Sequence, residues 1–244
     1  MKKNLLSSLI AMFSVNILLA QIVVFSPVKV EQNNIEQFLN VEMNYSKKIA
    51  QDAVNNGKLL GWVLMQNTNV GPDDYNFMWV NAYPTIEIAA NENAWWSHSE
   101  KVVGIKPDVL FSDSSKYKYD RSYTYKMQMS IPNTGPAAYV ILNFATPDDV
   151  NAVAASSKKY VIPHFKKNMS DNGMVGWGMA TKITPQGQEY SSMMTYDSYD
   201  SLKNAMKHLA GEGIIEGLPM DKLTKVTWEM RPIMKVISST TEKE

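Results

Sequence analysis

Cysteine is missing from all 244 residues. That excludes disulfides, thiolate nucleophiles, zinc–thiolate sites and a lipid anchor carried on a cysteine, and it suits either redox compartment. Net charge is missing too: 24 Lys and Arg balance 24 Asp and Glu, so bulk attraction to nucleic acid or to anionic membranes has no source. The lysine pairs at 47–48, 158–159 and 166–167 are not interleaved with stacking aromatics. They read as solvated helix faces, and no nucleic-acid partner is expected. The chain also lacks a GxGxxG after a strand, a P-loop, His-Glu-x-x-His and Gly-x-Ser-x-Gly. Gly211-Glu212-Gly213 follows a helical pattern and reads as a loop.

Long apolar runs are scarce, with one at the start. Lys2 and Lys3 precede a mostly apolar stretch, 5–20, with Ala20-Gln21 as the cleavage point. This is the plan of a secretory signal peptide. The run is shorter than the ~20 residues of a membrane span, and Ser7, Ser8, Ser14 and Asn16 dilute it. Residues 1–20 are therefore expected to be removed. The mature protein would be secreted or periplasmic, with no stable membrane anchor.

What is present is a pattern that occurs twice. Residues 59–66 read Leu-Leu-Gly-Trp-Val-Leu-Met-Gln, and 174–181 read Met-Val-Gly-Trp-Gly-Met-Ala-Thr, with Trp62 and Trp177 115 positions apart. The elements around them match at that offset. Residues 22–30 predict a strand, with Pro27 arguing for an edge or bulge. Ile35, Phe38, Leu39, Tyr45, Ile49 and Ala53 have helical spacing. Strands follow over 59–68 and 75–83, then a helix over 85–96, a polar loop over 97–118 and a strand over 119–131. The offset carries Ile35 to Val150, Phe38 to Val153, Tyr45 to Tyr160 and Tyr75 to Tyr190. Residues 137–145 are the matching first strand, 202–209 an amphipathic helix and 222–237 the last strand.

Each half therefore reads strand, helix, strand, strand, helix, strand, the order of a ferredoxin-like unit. Within the Gly-Trp strands, Leu60, Trp62 and Leu64 point one way, and Gly61, Val63 and Met65 the other. Both sets are uncharged, so both faces expect cover, and each half's bare sheet face is the natural cover for the other's. The expected fold is α+β: two tandem ferredoxin-like (βαββαβ) halves, 21–132 and 133–238, packed sheet to sheet as an intramolecular pseudo-dimeric α/β barrel, with 239–244 as a tail. Over residues 22–237 this element order resembles the dimeric α/β-barrel superfamily. That group includes antibiotic-biosynthesis monooxygenases, muconolactone-isomerase-like proteins and haem-binding chlorite-dismutase-like enzymes. The resemblance implies a small molecule or cofactor between the sheet and the helices of one half. It is specific for fold and weak for function.

Of three histidines, His164 stands out. It takes the place of Ile49 on the inward helix face, next to Pro163, which frees a backbone carbonyl. It reads as a catalytic base or haem ligand, or else as a histidine bonded to a backbone carbonyl. His98 and His208 are expected to be solvated. Trp62, Trp177, Trp79, Tyr83 and Tyr196 are candidate ligand-binding residues; they otherwise simply fill core volume. Asn81, Asp197, Glu229 and Arg231 are candidate polar points. The 16 methionines suit an adaptable core. The leading expectation is an exported binder of a small apolar or aromatic molecule. The alternatives are a cofactor-independent monooxygenase or isomerase acting on an aromatic substrate, a haem protein using His164, and an interaction module without a pocket. No residue pattern specifies a cofactor, a metal or an oligomeric state.

Overall fold

A computed structural model describes residues 22–71, 74–91, 94–119 and 121–241. The segment expected to be a signal peptide, 1–20, lies outside the described residues. In chain order the elements are β1 (Ile22–Val30), α1 (Ile35–Val41), α2 (Lys47–Asn55), β2 (Gly61–Asn67), β3 (Phe77–Tyr83), α3 (Ile86–Ala89), α4 (Ser99–Val103), α5 (Pro107–Leu110), β4 (Tyr117–Tyr119) and β5 (Tyr123–Ile131). Then come β6 (Tyr139–Ala145), α6 (Val150–Ser156), α7 (Ile162–Asn168), β7 (Met174–Thr184), β8 (Met193–Tyr199), α8 (Leu202–Leu209), β9 (Trp228–Met230) and β10 (Ile233–Ser239). Among the described residues no helix is long and apolar enough to cross a membrane.

Eight strands close into an antiparallel barrel in the order β10-β2-β3-β1-β5-β7-β8-β6, and β6 pairs with β10 to complete the ring. Strands β4 and β9 lie off the ring, against β1 and β6. Early strands take the order β2-β3-β1-β5 and late ones β7-β8-β6-β10, so corresponding strands hold corresponding places. The joins between the two runs are β5 with β7 and β10 with β2.

Alternation along the strands sorts the side chains into three cores. Val63 and Met65 of β2 and Ala180 of β7 point into the barrel with Val23, Phe25, Val80, Tyr125, Leu142 and Tyr196. Trp62 and Leu64 point outward, beneath α1 and α2, with Phe38, Ile49 and Ala53. Trp177 and Met179 point outward beneath α6 and α7, with Val153, Phe165 and Met169. Leu60 departs from the expected face: it precedes β2 and packs against the barrel core. Because both faces of the sheet are covered, β8 is buried along its whole length. The barrel is filled rather than hollow, with an internal void of only about 20 Å³.

Gly178 makes this filling possible. It pairs with Tyr196 across β7 and β8, and a Cβ on it would stand 2.3 Å from the Tyr196 ring. The ring lies over the glycine and shields its backbone, as aromatics do for strand glycines. Gly178→Ala is expected to lower stability by about 1–3 kcal/mol by overpacking. In a double-mutant cycle, Tyr196→Leu should recover about half of that loss; purely additive losses in urea unfolding would refute the contact.

Several local expectations need correction. Strand β1 is central, paired with β3 on one side and with β5 and β4 on the other. Its partners on the second side are β5 over Ile22–Phe25 and β4 over Val28–Val30, so Pro27 falls at the break between them. The expected helix over 85–96 is only α3 and a short 3-10 turn, Trp95–His98. The expected polar loop over 97–118 contains α4 and α5, with Ser99 and Leu110 buried. The last strand is split into β9 and β10 at Arg231-Pro232. Residues assigned to the tail belong to the fold: Thr240 exchanges hydrogen bonds with the Trp62 backbone at 3.0 Å, and the Thr241 N–H donates to Gln51 at 2.8 Å.

Candidate functional site

The helical run over 35–55 is not a uniform α-helix. Between α1 and α2 it makes a π-turn at Glu42–Ser46, and between α6 and α7 the same widening recurs at Ser157–Val161. Such turns are frequent at functional sites, because the extra residue displaces one face of the helix. Here the displacement turns Glu42 and Ser46, each four residues on from Phe38 and then from Glu42, onto the buried face, while Tyr45 is left half-buried.

Glu42 is 5% exposed and accepts a hydrogen bond from the Trp79 indole N–H at 3.0 Å. Burial pushes its carboxyl up from 4.5 to about 7, against a smaller downward pull from Trp79 and from Ser46 beside it. The Ser46 hydroxyl is buried without a hydrogen bond of proper geometry, as is the Asn81 carbonyl oxygen, on the same β3 face as Trp79. Phe38 packs against both Trp79 and Tyr117, at 5.8 and 5.2 Å between ring centroids.

Further along β3 this layer opens. A cleft of about 580 Å³ lies between the end of α2 (Asn56, Gly57, Lys58), Tyr83 at the end of β3, and the segment carrying Ile88, Trp95 and His98. The Trp95 indole nitrogen is buried beside the Tyr83 hydroxyl, without a hydrogen bond of proper geometry. Burial raises the Tyr83 phenol to about 12. His98 is exposed, as expected, but at the rim of this cleft.

The late half holds a different arrangement on the equivalent face. The Asn143 amide donates to Asp197 at 2.5 Å and to Thr195 at 3.0 Å, and its carbonyl accepts from Arg231 Nε at 2.6 Å. Asp197 is 2% exposed. Beside it the Tyr199 hydroxyl and His208 Nδ1 are hydrogen-bonded at 2.6 Å. His208 is thus buried, not solvated as expected, and that burial lowers its pKa, with Asp197 pulling it back up. Burial likewise lowers the pKa of Arg231 and raises that of Tyr199. Glu229 stands apart, accepting from the Ser191 hydroxyl.

The residues singled out in the sequence are not brought to one place. Trp62, Trp79 and Tyr83 share the first helix layer, Trp177 lies in the second, and Tyr196 points into the barrel. The offset of 115 fails on β8, which corresponds to β3 at 116 (77–83 against 193–199). A one-residue slip reverses every side chain in a strand, so the counterpart of Tyr83 is Tyr199, and that of Asn81 is Asp197. Glu42 and Asn143 went unnoticed. The signal for Glu42 was its four-residue spacing from Phe38 and Ser46.

His164 Nε2 donates to the Ile214 carbonyl at 2.8 Å, and Nδ1 faces the Asn168 amide at 3.4 Å. Phe165, Met169 and Trp177 fill the space between its helix and the sheet. With neither ring nitrogen free and no room beneath, these residues do not fit a haem.

No family model matches the chain, and no curated protein matches it. Solved structures do match. A candidate monooxygenase from Lactobacillus acidophilus NCFM superposes with a TM-score of 0.57 at 11% identity, over 92% of this chain and 97% of that one. A candidate monooxygenase from Fusobacterium nucleatum subsp. nucleatum gives 0.58 at 11%, over 92% and 95%. A chlorite dismutase variant from Candidatus Nitrospira defluvii gives 0.53 at 7%, over 90% and 92%. At these identities the likeness is one of fold alone, and the closed eight-stranded barrel with helices outside it is consistent with a dimeric α/β barrel.

Proposed function

We propose that this chain is an exported small-molecule-binding protein whose ligand, a small apolar or aromatic molecule, occupies the cleft beside the first helix layer. The observation that carries this reading is the composition of the cleft. Its volume of about 580 Å³ falls in the ~300–1,000 Å³ range of ligand sites. Tyr83, Ile88 and Trp95 give it apolar surface, set among polar groups from Asn56, Lys58, Ser97 and His98 that can orient a ligand. Export rests on the charged-then-apolar start, residues 1–20. We also read the two halves as tandem ferredoxin-like units, a reading supported by the matching strand order and by the π-turns 115 residues apart (42–46 and 157–161).

Equilibrium dialysis against 2-naphthol tests the binding reading. Saturable binding is expected, weakened about tenfold or more by Ile88→Arg, which places an unpaired charge on the cleft wall, with the melting temperature unchanged. Absence of saturable binding, or equal binding by the variant, would refute it.

A second reading, cofactor-independent oxygenation or isomerisation of an aromatic substrate, is favoured by Glu42. A buried carboxyl poised near neutrality is suited to accept a proton. This reading expects turnover of a quinol that Glu42→Gln abolishes while 2-naphthol binding persists; turnover by the variant at the wild-type rate would rule out Glu42 as the base.

A further inference from the structure

Lys182 lies outside that site. It follows Gly178 and Ala180 on the inward-facing side of β7, and its Nζ stands at one mouth of the barrel. Three tyrosine rings surround the amine: Tyr123 and Tyr125 of β5 at 5.3 and 5.4 Å, and Tyr190 of the β7–β8 loop at 5.3 Å. Tyr125 belongs to the barrel core and Tyr123 packs against it. Lys182 is only 9% exposed. Among the described residues no carboxylate forms an ion pair with it. Charged groups nearby among the described residues include Glu229 of β9, which acts on it through space, and Arg121, which stacks on Tyr190 at 5.3 Å.

Tyrosine faces attract an ammonium, but they replace none of the hydrogen bonds it gives to water. Three rings therefore strip the amine of solvent without supplying a counter-charge. Desolvation lowers its pKa to about 8, with Glu229 pulling it part of the way back. At pH 7 about 10% of such an amine is neutral, against about 0.04% of an ordinary lysine.

We propose that Lys182 is a nucleophilic amine that captures small aldehydes as an imine at the barrel mouth. The nitrogen lone pair forms a bond to the carbonyl carbon as the C=O π electrons move to oxygen. A proton passes from nitrogen to that oxygen through solvent, giving a carbinolamine. The carbinolamine expels its hydroxyl with a proton as water and leaves C=N, with no change of oxidation state. The internal void of about 20 Å³ admits no ligand, so the aldehyde's own chain stays outside, against the tyrosine rings. Short aliphatic and flat aromatic aldehydes fit this. The site is separate from the cleft and does not depend on what binds there.

The test uses the wild-type protein, propionaldehyde and cyanoborohydride, which traps the imine as a secondary amine, with peptide mapping by mass spectrometry from about pH 6 to pH 10. At pH 7 Lys182 should be alkylated about tenfold faster than the exposed Lys48. That factor combines a ~200-fold larger neutral fraction with the weaker nucleophilicity of a less basic amine. The rate should be half-maximal near pH 8. Tyr190→Ala, by readmitting water, should move that midpoint toward the ordinary lysine range. Alkylation of Lys182 at or below the rate of Lys48, a wild-type midpoint in the ordinary lysine range, or a midpoint that Tyr190→Ala leaves in place would each overturn the proposal.

Discussion

Glu42→Gln will remove most of the stability loss that the wild-type protein undergoes between about pH 5 and pH 8. Burial raises the Glu42 carboxyl from 4.5 in the unfolded chain to about 7 in the folded one. Between those values the folded protein holds a proton that the unfolded chain has released. Stability therefore falls as pH rises through this window and levels off above it. A separation of about 2.5 pH units corresponds to about 3 kcal/mol at most. In urea that is a drop in midpoint of about 1 M. Glutamine has the shape of the protonated acid, and its carbonyl can still accept from Trp79, so the variant should match the wild type near pH 5 and exceed it near pH 8. Trp79→Phe should act in the other direction, because the indole N–H favours the charged form. Parallel midpoint curves for wild type and Glu42→Gln would show that the carboxyl is hydrated and that the packing described around it is wrong.

His208 contributes with the opposite sign. Its folded pKa is held below the ordinary 6.5, chiefly by burial. The neutral ring's contribution is complete above 6.5 and is lost as pH falls through the folded value. The Glu42→Gln protein should therefore still weaken on the acid side.

Asn143→Leu is expected to cost about 3–5 kcal/mol, the usual penalty for stranding a buried charge. Leucine keeps the branched shape and is larger than asparagine, so a cavity does not account for the loss. What disappears is the bridge: one amide that donates to Asp197 and Thr195 and accepts from Arg231. Asp197 would be left at 2% exposure without that donor, and Arg231 without its acceptor. For a chain of this size the melting temperature should fall by about 10 °C. A loss below about 1 kcal/mol would mean that Asp197 reaches water or pairs directly with Arg231.

These two clusters show how differently the sequence exposed fold and site. Strand faces were legible because backbone pleating imposes a period of two whatever surrounds it, so Trp62 and Leu64 separate from Val63 and Met65 by parity alone. The first helix was legible as far as Phe38, its first buried position. Beyond it, whether Glu42 and Ser46 or Tyr45 face inward depends on a π-turn, and their four-residue spacing alone does not distinguish that turn from α-helix. Asn143 sits in the run Tyr-Val-Ile-Leu-Asn-Phe-Ala, where it looks like an accident of an apolar strand. Its partners lie 52, 54 and 88 residues away in sequence.

The amino-acid order by itself settled the segments of the eight ring strands, the two faces of the Gly-Trp strands at Trp62–Met65 and Trp177–Ala180, and the resemblance of early and late portions, since these follow from periodicity along the chain. Ring closure, the filling of the barrel, the burial of Glu42, Asp197 and His208, and the three tyrosines around Lys182 were decided only in the folded state. Each depends on desolvation and partners brought together from distant segments, and such contacts leave no local period to read.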